Sequence, residues 1–261
     1  MATQSSSLGM EDLTSTEALK AAAAELIATA ILVMIGVGAV SVAVAGGNIL
    51  SVAVAFGFVV ALLAAGIGGI SGGHMNPAVT FAMIITGNTS VIRGVMYIVA
   101  QLIGACIGAL LLRAFIVDAL LEQIPGGGGD ALTPEVVTEA WHGMFLEALG
   151  TFVLVWTVFA TAVNQRLGSG NTAPLYIGLA VLVVHVFLIP LTGCGINPAR
   201  TFGPALFLPA AADGIPGRWD DAWIYYVGPL LGAALAAMSY YLLYLMPARS
   251  TNPPVRTDTQ T

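Results

Sequence analysis

Charge is scarce in this 261-residue chain: 8% of its residues are Asp, Glu, Lys or Arg, where soluble domains carry about 25%. Scarcity on that scale excludes an ordinary soluble domain. Cationic residues are the fewest, 8 Lys and Arg against 14 Asp and Glu, for a formal net charge of −6. No basic patch is present to hold a nucleic acid. There are only 2 cysteines, Cys106 and Cys194, both in apolar surroundings. They form neither a disulfide framework nor a metal-binding spacing. The 3 histidines, His74, His142 and His185, stand apart from any Cys or carboxylate cluster. No metal and no cofactor is expected. No nucleophile with a neighbouring base appears either, so no enzyme is expected. The opening segment is polar and acidic (Glu11, Asp12), without a basic n-region, so the first apolar segment is expected to act as its own insertion signal.

Apolar residues are plentiful, at 57% of the chain, with a mean hydropathy of +0.90. Roughly 30 Å of hydrocarbon needs about 20 helical residues. Segments near 17–43, 49–68, 91–116, 139–163, 173–192 and 222–246 meet that requirement. Two further apolar stretches, about 77–86 and 198–208, are too short to span. Composition and length therefore predict an all-α membrane protein embedded in a lipid bilayer.

Each short stretch opens with the same tripeptide. Met75-Asn76-Pro77-Ala78-Val79-Thr80-Phe81 recurs as Ile196-Asn197-Pro198-Ala199-Arg200-Thr201-Phe202. Asn is a favoured N-cap and Pro a favoured first helical residue, so each copy reads as a helix start. The repeat extends further. Glu25-Leu-Ile-Ala-Thr29 matches Glu147-Ala-Leu-Gly-Thr151, and Gln101-Leu-Ile-Gly-Ala matches Pro229-Leu-Leu-Gly-Ala. The layout is three spans plus one half-helix, twice. Three spans is an odd number, so the second copy enters from the opposite side, which makes an inverted repeat. The boundaries expected are an N-terminal tail 1–16, a channel domain 17–246 and a C-terminal tail 247–261. Within the domain, repeat one covers about 17–116, a connector about 117–138 and repeat two about 139–246. With both termini cytoplasmic, Lys20, Arg93, Arg166, Arg249 and Arg256 fall inside and Arg113 and Arg218 outside, in line with the positive-inside bias. Gly126-Gly127-Gly128-Gly129 reads as a flexible connector, and residues 1–15 and 248–261 read as disordered tails.

Irregular backbone survives at membrane depth only when buried in protein or lining water. Ile70-Ser71-Gly72-Gly73-His74-Met75 and Leu191-Thr192-Gly193-Cys194-Gly195-Ile196 precede the two half-helices, so they are expected to line a pathway. Surface loops are the alternative, and the symmetric placement disfavours it. Arg200 is a lone cation at the head of an apolar half-helix. A buried charge in a membrane marks a functional site by default.

Ser71-Gly72-Gly73-His74-Met75-Asn76-Pro77-Ala78-Val79-Thr80 and Thr192-Gly193-Cys194-Gly195-Ile196-Asn197-Pro198-Ala199-Arg200 resemble the aquaporin (major intrinsic protein) family over about residues 17–246. The Glu25 and Glu147 helices and Gly228-Pro229 match as well. The resemblance implies six transmembrane helices plus two re-entrant half-helices meeting at mid-membrane. Asn76 and Asn197 would cap their helices and turn amide N–H groups to the lumen. Carbonyls of Gly72, Gly73, His74, Gly193 and Gly195 would line it, and Glu25 and Glu147 would be structural carboxylates holding the loops. Water-selective relatives have Phe twenty residues before the first Asn, which is Phe56, and His nine residues before the loop Cys, which is His185. Phe56, His185, Cys194 and Arg200 would then form the selectivity filter. Glycerol-passing relatives usually have a small residue in place of this His and often Asp after the Arg; here His185 and Thr201 stand there. Tyr226 departs from the Trp common in water-selective relatives. The implied function is passive, bidirectional water conduction with exclusion of protons and ions, in a homotetramer. Gly104, Gly108 and Gly232 would permit close helix packing. The rivals are a facilitator of glycerol, urea, ammonia or hydrogen peroxide, and an ion-coupled transporter. The transporter would need titratable groups at mid-membrane beyond Glu25 and Glu147.

Overall fold

The computed structural model describes residues 8–128, 130–133, 136–137, 139–164, 170–209, 219 and 221–245. Among them, six helices are long and apolar enough to cross a membrane. The elements are α1 (Thr16–Val44), α2 (Ile49–Ser71), the half-helix α3 (Pro77–Ile85), α4 (Val91–Phe115), the one-turn α5 (Asp118–Leu121), α6 (Ala140–Val158), α7 (Ala173–Thr192), the half-helix α8 (Pro198–Phe207) and α9 (Ile224–Tyr240). Short π-helical turns, Phe159–Val163 and Tyr241–Leu245, extend α6 and α9. The expected spans and both short stretches are all present.

Local chemistry sets the ends. Ser15, Asn48 and Ser90 cap α1, α2 and α4 by accepting the N–H groups of Ala18, Ser51 and Arg93. Helices α2 and α7 stop where Gly72 (φ 94°) and Gly193 (φ 79°) enter the left-handed region. The half-helices have 9 and 10 residues, about 14 and 15 Å at the helical rise. Laid end to end they match one bilayer core of roughly 30 Å.

The packing pairs the two halves. Helix α1 packs on α4 and α6 on α9, while α2 packs on α7 and so joins the two halves. Each half-helix also packs on the third span of the other repeat, α3 on α9 and α8 on α4. The outward faces carry Leu62, Val183, Phe187 and Leu243, all more than half exposed, as lipid-facing side chains should be.

Helix backbones approach closely where glycine removes the side chain. A Cβ at Gly104 would run into the Leu26 carbonyl, one at Gly108 into the Ala30 carbonyl, and one at Gly232 into the Ala148 carbonyl. The central crossing uses a reciprocal pair, Gly57 against the Gly178 carbonyl and Gly178 against that of Gly57. Gly203 on α8 seats against the Ala105 backbone of α4. The small-residue contacts are thus consumed inside one protomer.

Two expectations need correction. The N-terminal segment is not a loose tail from residue 8 onward. Met10–Thr14 form a 3₁₀ turn, the Ile92 N–H donates to the Leu8 carbonyl, and buried Asp12 pairs with Arg93 and Ser90. Asp12 meets a cation of α4 and the hydroxyl of its N-cap, which sequence distance hides. The connector is not a flexible spacer either: Leu121, Ile124, Gly126, Gly127 and Asp130 are buried. Residues 247–261, and Glu135, Arg166, Asp213, Arg218, Asp220, Arg249 and Arg256, lie outside the described residues.

Overpacking of this kind costs about 1–3 kcal/mol. Gly232→Val is expected to lower the thermal midpoint of the detergent-purified protein by several degrees. Gly66→Ala, at a position with open space around it, should leave it nearly unchanged.

Candidate functional site

Two loops carry the sequence motifs to the middle of the bundle, and both are backbone-strained in the same way. Gly72, Gly73 and Met75 have φ of 94°, 68° and 50°; the matching Gly193, Cys194 and Ile196 have 79°, 63° and 43°. Left-handed non-glycine residues cost about 1–3 kcal/mol each and persist only when their surroundings enforce them. A buried carboxylate does so in each half. Glu25 accepts the N–H of His74 (2.8 Å) and Met75 (2.6 Å) and the Ser71 hydroxyl (2.6 Å). Glu147 accepts the N–H of Gly195 (3.0 Å) and Ile196 (2.6 Å) and the Thr192 hydroxyl (2.6 Å). Tyr97 donates to the Ser71 carbonyl and Tyr225 to that of Thr192, completing the same pattern on both sides. All partners of each carboxylate are donors, which suits an anchor.

The half-helices then start nose to nose. Asn76 Oδ1 accepts from the Ala78 N–H (2.8 Å), and Asn197 Oδ1 from those of Ala199 (3.0 Å) and Arg200 (3.3 Å). Pro77 and Pro198 occupy the first helical position. The amides cross over. Asn76 Nδ2 donates to the Ile196 carbonyl at 2.9 Å, and Asn197 Nδ2 to the Met75 carbonyl at 2.8 Å. Each Nδ2 has two hydrogens, so the second remains for the interior. Both positive helix ends, each worth roughly half a charge, converge on this point.

Beside them lies a cavity of about 70 Å3, lined among others by Asn76 and Asn197 and by Phe56, His185 and Arg200. Gly72, Ala162 and Ile177 are shared with a wider recess of about 740 Å3. At roughly 30 Å3 per water, the narrow cavity has room for about two. Gly73, His74, Met75, Gly195 and Ile196 also lie on its wall. Gly193 and Cys194 belong to the same loop, but Cys194 is fully buried and neither is among the described wall residues.

Phe56, His185 and Arg200 come together on the cavity wall. The Phe56 and His185 rings stack, with centroids 4.5 Å apart and planes 25° apart. The Arg200 guanidinium carbon sits 5.0 Å from the Phe56 centroid, within cation–π range. Gly36 of α1 makes the space, since a Cβ there would strike the Phe56 ring. His185 Nδ1 lies 2.9 Å from the Val181 carbonyl, which fixes a proton on Nδ1. Nε2 of His185 and Nε of Arg200 have no hydrogen-bond partner among the described residues. One acceptor and one donor are thus left unpaired in residues that line the cavity.

Sequence reasoning missed Asp130. This connector residue forms an ion pair with Arg200 Nη1, and the Thr201 hydroxyl donates to its other oxygen at 2.6 Å. Burial pushes the Asp130 carboxyl up from its ordinary value, while Arg200 and Thr201 pull it back down. The available signal was the buried charge itself, because a cation in a membrane protein requires a partner. Among the described residues no cluster of His, Cys, Asp and Glu could hold a metal ion.

A six-span bundle with two half-helices meeting beside a narrow internal cavity defines a membrane channel. The chain belongs to the major intrinsic protein family, whose model matches residues 12–240. It is 45% identical to a probable aquaporin PIP2-8 of Oryza sativa subsp. japonica, over 85% of this chain and 80% of that one. It is 38% identical to aquaporin-4 of Mus musculus, over 86% of this chain and 67% of that one. The X-ray structure of the aquaglyceroporin from Plasmodium falciparum superposes with a TM-score of 0.73 at 18% identity, covering 87% of this chain and 97% of that one. That likeness shows the fold.

Removing a loop anchor leaves buried N–H groups unpaired, at about 1–3 kcal/mol each. Glu147→Ala is expected to reduce the yield of monodisperse protein sharply. Glu147→Gln, which keeps one acceptor oxygen, should lose less, as read by size-exclusion elution and thermal midpoint.

Proposed function

We propose that this chain is a passive, bidirectional water channel. The observation that carries it is that Arg200, His185, Asn197 and Asn76 line one narrow cavity, three of them donors and one an acceptor, among many apolar lining residues. Water can trade its hydrogen bonds with these groups, whereas an ion would lose its hydration shell without replacement. The same cavity is also lined by apolar Phe56, Val79, Val181 and Leu154, which offer water no hydrogen bonds.

The filter is read as Phe56, His185, Cys194 and Arg200. Phe56 and His185 narrow the opening, Arg200 donates to the permeant, and the Cys194 loop closes the remaining side. At the middle, the spare N–H groups of Asn76 and Asn197 turn each passing water so that it donates outward in both directions. The opposed half-helix ends raise the energy of a cation or an excess proton there. Glycerol, urea, ammonia and hydrogen peroxide are the rival permeants; the bulk of the Phe56–His185 pair disfavours those with a carbon chain. Ion-coupled transport is disfavoured because Glu25 and Glu147 are fully engaged by loop donors. The names of the relatives support water as the permeant. We read the protein as multi-pass in the cell membrane, with a channel domain over about 17–246, cytoplasmic termini and a homotetrameric assembly in which each protomer has its own pore.

Stopped-flow light scattering on proteoliposomes tests this. A sorbitol gradient should give fast shrinkage, and a glycerol gradient should give no re-swelling. His185→Gly is expected to raise glycerol passage at least tenfold relative to water, about 1.4 kcal/mol of barrier. A wild-type protein that passes no more water than empty vesicles would remove the proposal.

A further inference from the structure

The two loops and half-helices are nearly superimposable in their hydrogen bonding, but the pseudo-symmetry breaks beside the filter. In repeat one the threonine after the motif, Thr80, is engaged by Gln101 Nε2 (3.0 Å) and lies 3.1 Å from His74 Nδ1. In repeat two His74 is replaced by Gly195, where a Cβ would meet Tyr225 at 2.6 Å, and Gln101 by Pro229. The same stretch carries a full positive charge, because Val79 of repeat one corresponds to Arg200. The matching Thr201 instead binds Asp130, a residue that belongs to neither repeat.

The connector is shaped to bring it there. Gly126 and Gly127 take φ of 63° and 73°, and a Cβ on Gly128 would lie 2.8 Å from Pro204 of α8. Leu121 and Ile124 are completely buried beneath it, and the Thr133 N–H donates to the Leu191 carbonyl at 3.0 Å. Asp130 is thus held at 5% exposure against an Arg200 that is 2% exposed.

We propose that Asp130 is a positioning residue of the filter: it pins the Arg200 guanidinium to the wall and so keeps the lumen open. The inference rests on the water-channel reading above. A buried cation without a partner is strongly unfavourable and moves to whatever polar surroundings it can reach. For Arg200 the polar space within reach is the cavity it lines, and its buried Nε has no hydrogen-bond partner among the described residues to hold it back. Removing Asp130 therefore sends the guanidinium into the pathway and narrows it.

Full-length variants are reconstituted in proteoliposomes at equal protein density, with water and glycerol gradients measured in parallel. Asp130→Ala is expected to cut water permeability several-fold without admitting glycerol. Asp130→Ala combined with Arg200→Ala should restore fast water flow and admit glycerol as Arg200→Ala alone does. That restoration would not follow if Asp130 merely supported the connector. If Asp130→Ala fails to elute as folded protein, Asp130→Asn carries the test, with a smaller loss that Arg200→Ala again abolishes. Water flow in the folded Asp130 variant equal to or faster than wild type overturns the inference, as does a double variant as slow as the single one. Wild-type vesicles that pass no water overturn the channel reading instead, so the two failures are distinct.

Discussion

The structure depends on a carboxylate buried in each half of the bundle. Glu25 and Glu147 each accept two consecutive backbone N–H groups and a hydroxyl from a loop whose residues sit in left-handed conformations. Without those acceptors the N–H groups would be orphaned in a region that offers little water, and the backbone would relax out of its strained geometry. With them, the loops hold their left-handed geometry beside the cavity, and the Met75 and Ile196 carbonyls are placed to accept the asparagine amides. An anionic group at mid-membrane would ordinarily suggest a proton relay. Here its bonds are saturated by loop donors, which makes it a clamp.

From that clamp the rest follows in order. Fixed loops set the start of each half-helix, and Asn76 and Asn197 cap those starts. Because the loops are fixed, each amide can also reach the carbonyl of the opposite loop, locking the two halves together at their point of contact. The same asparagines thus end a helix, join two repeats and present N–H groups to the cavity. Glycines at the helix crossings let the spans approach closely enough for two nine- to ten-residue helices to share one bilayer thickness.

The halves are equivalent where they build the scaffold and unequal where they select. His74 and Gln101 in one half face Gly195 and Pro229 in the other, and Val79 faces Arg200. The cavity accordingly shares lining residues with a wide recess and is also lined by aromatic and cationic groups. Gene duplication supplies the symmetric frame; a few unmatched side chains, together with a connector that belongs to neither copy, give it a filter at one mouth.

The paired Asn-Pro-Ala motifs, the odd number of spans per repeat and the two matched glutamates were legible in the sequence, because capping preference, hydrophobic length and internal repetition are local properties. They determined the six spans, the two half-helices and the inverted arrangement. The glycine run before Asp130 misled for a physical reason: glycine permits both a loose chain and a very close backbone approach, and only the presence of α8 against it distinguishes them. Asp12 beside Arg93, Gly36 beneath Phe56 and Asp130 against Arg200 are likewise joined by no sequence spacing. A buried charge announces that it needs a counter-charge, but which of the chain's acids answers is decided by how the connector folds over the bundle. Helix ends and spans are thus written residue by residue, whereas the stacking of Phe56 on His185 and the neutralisation of Arg200 exist only after distant segments have packed together.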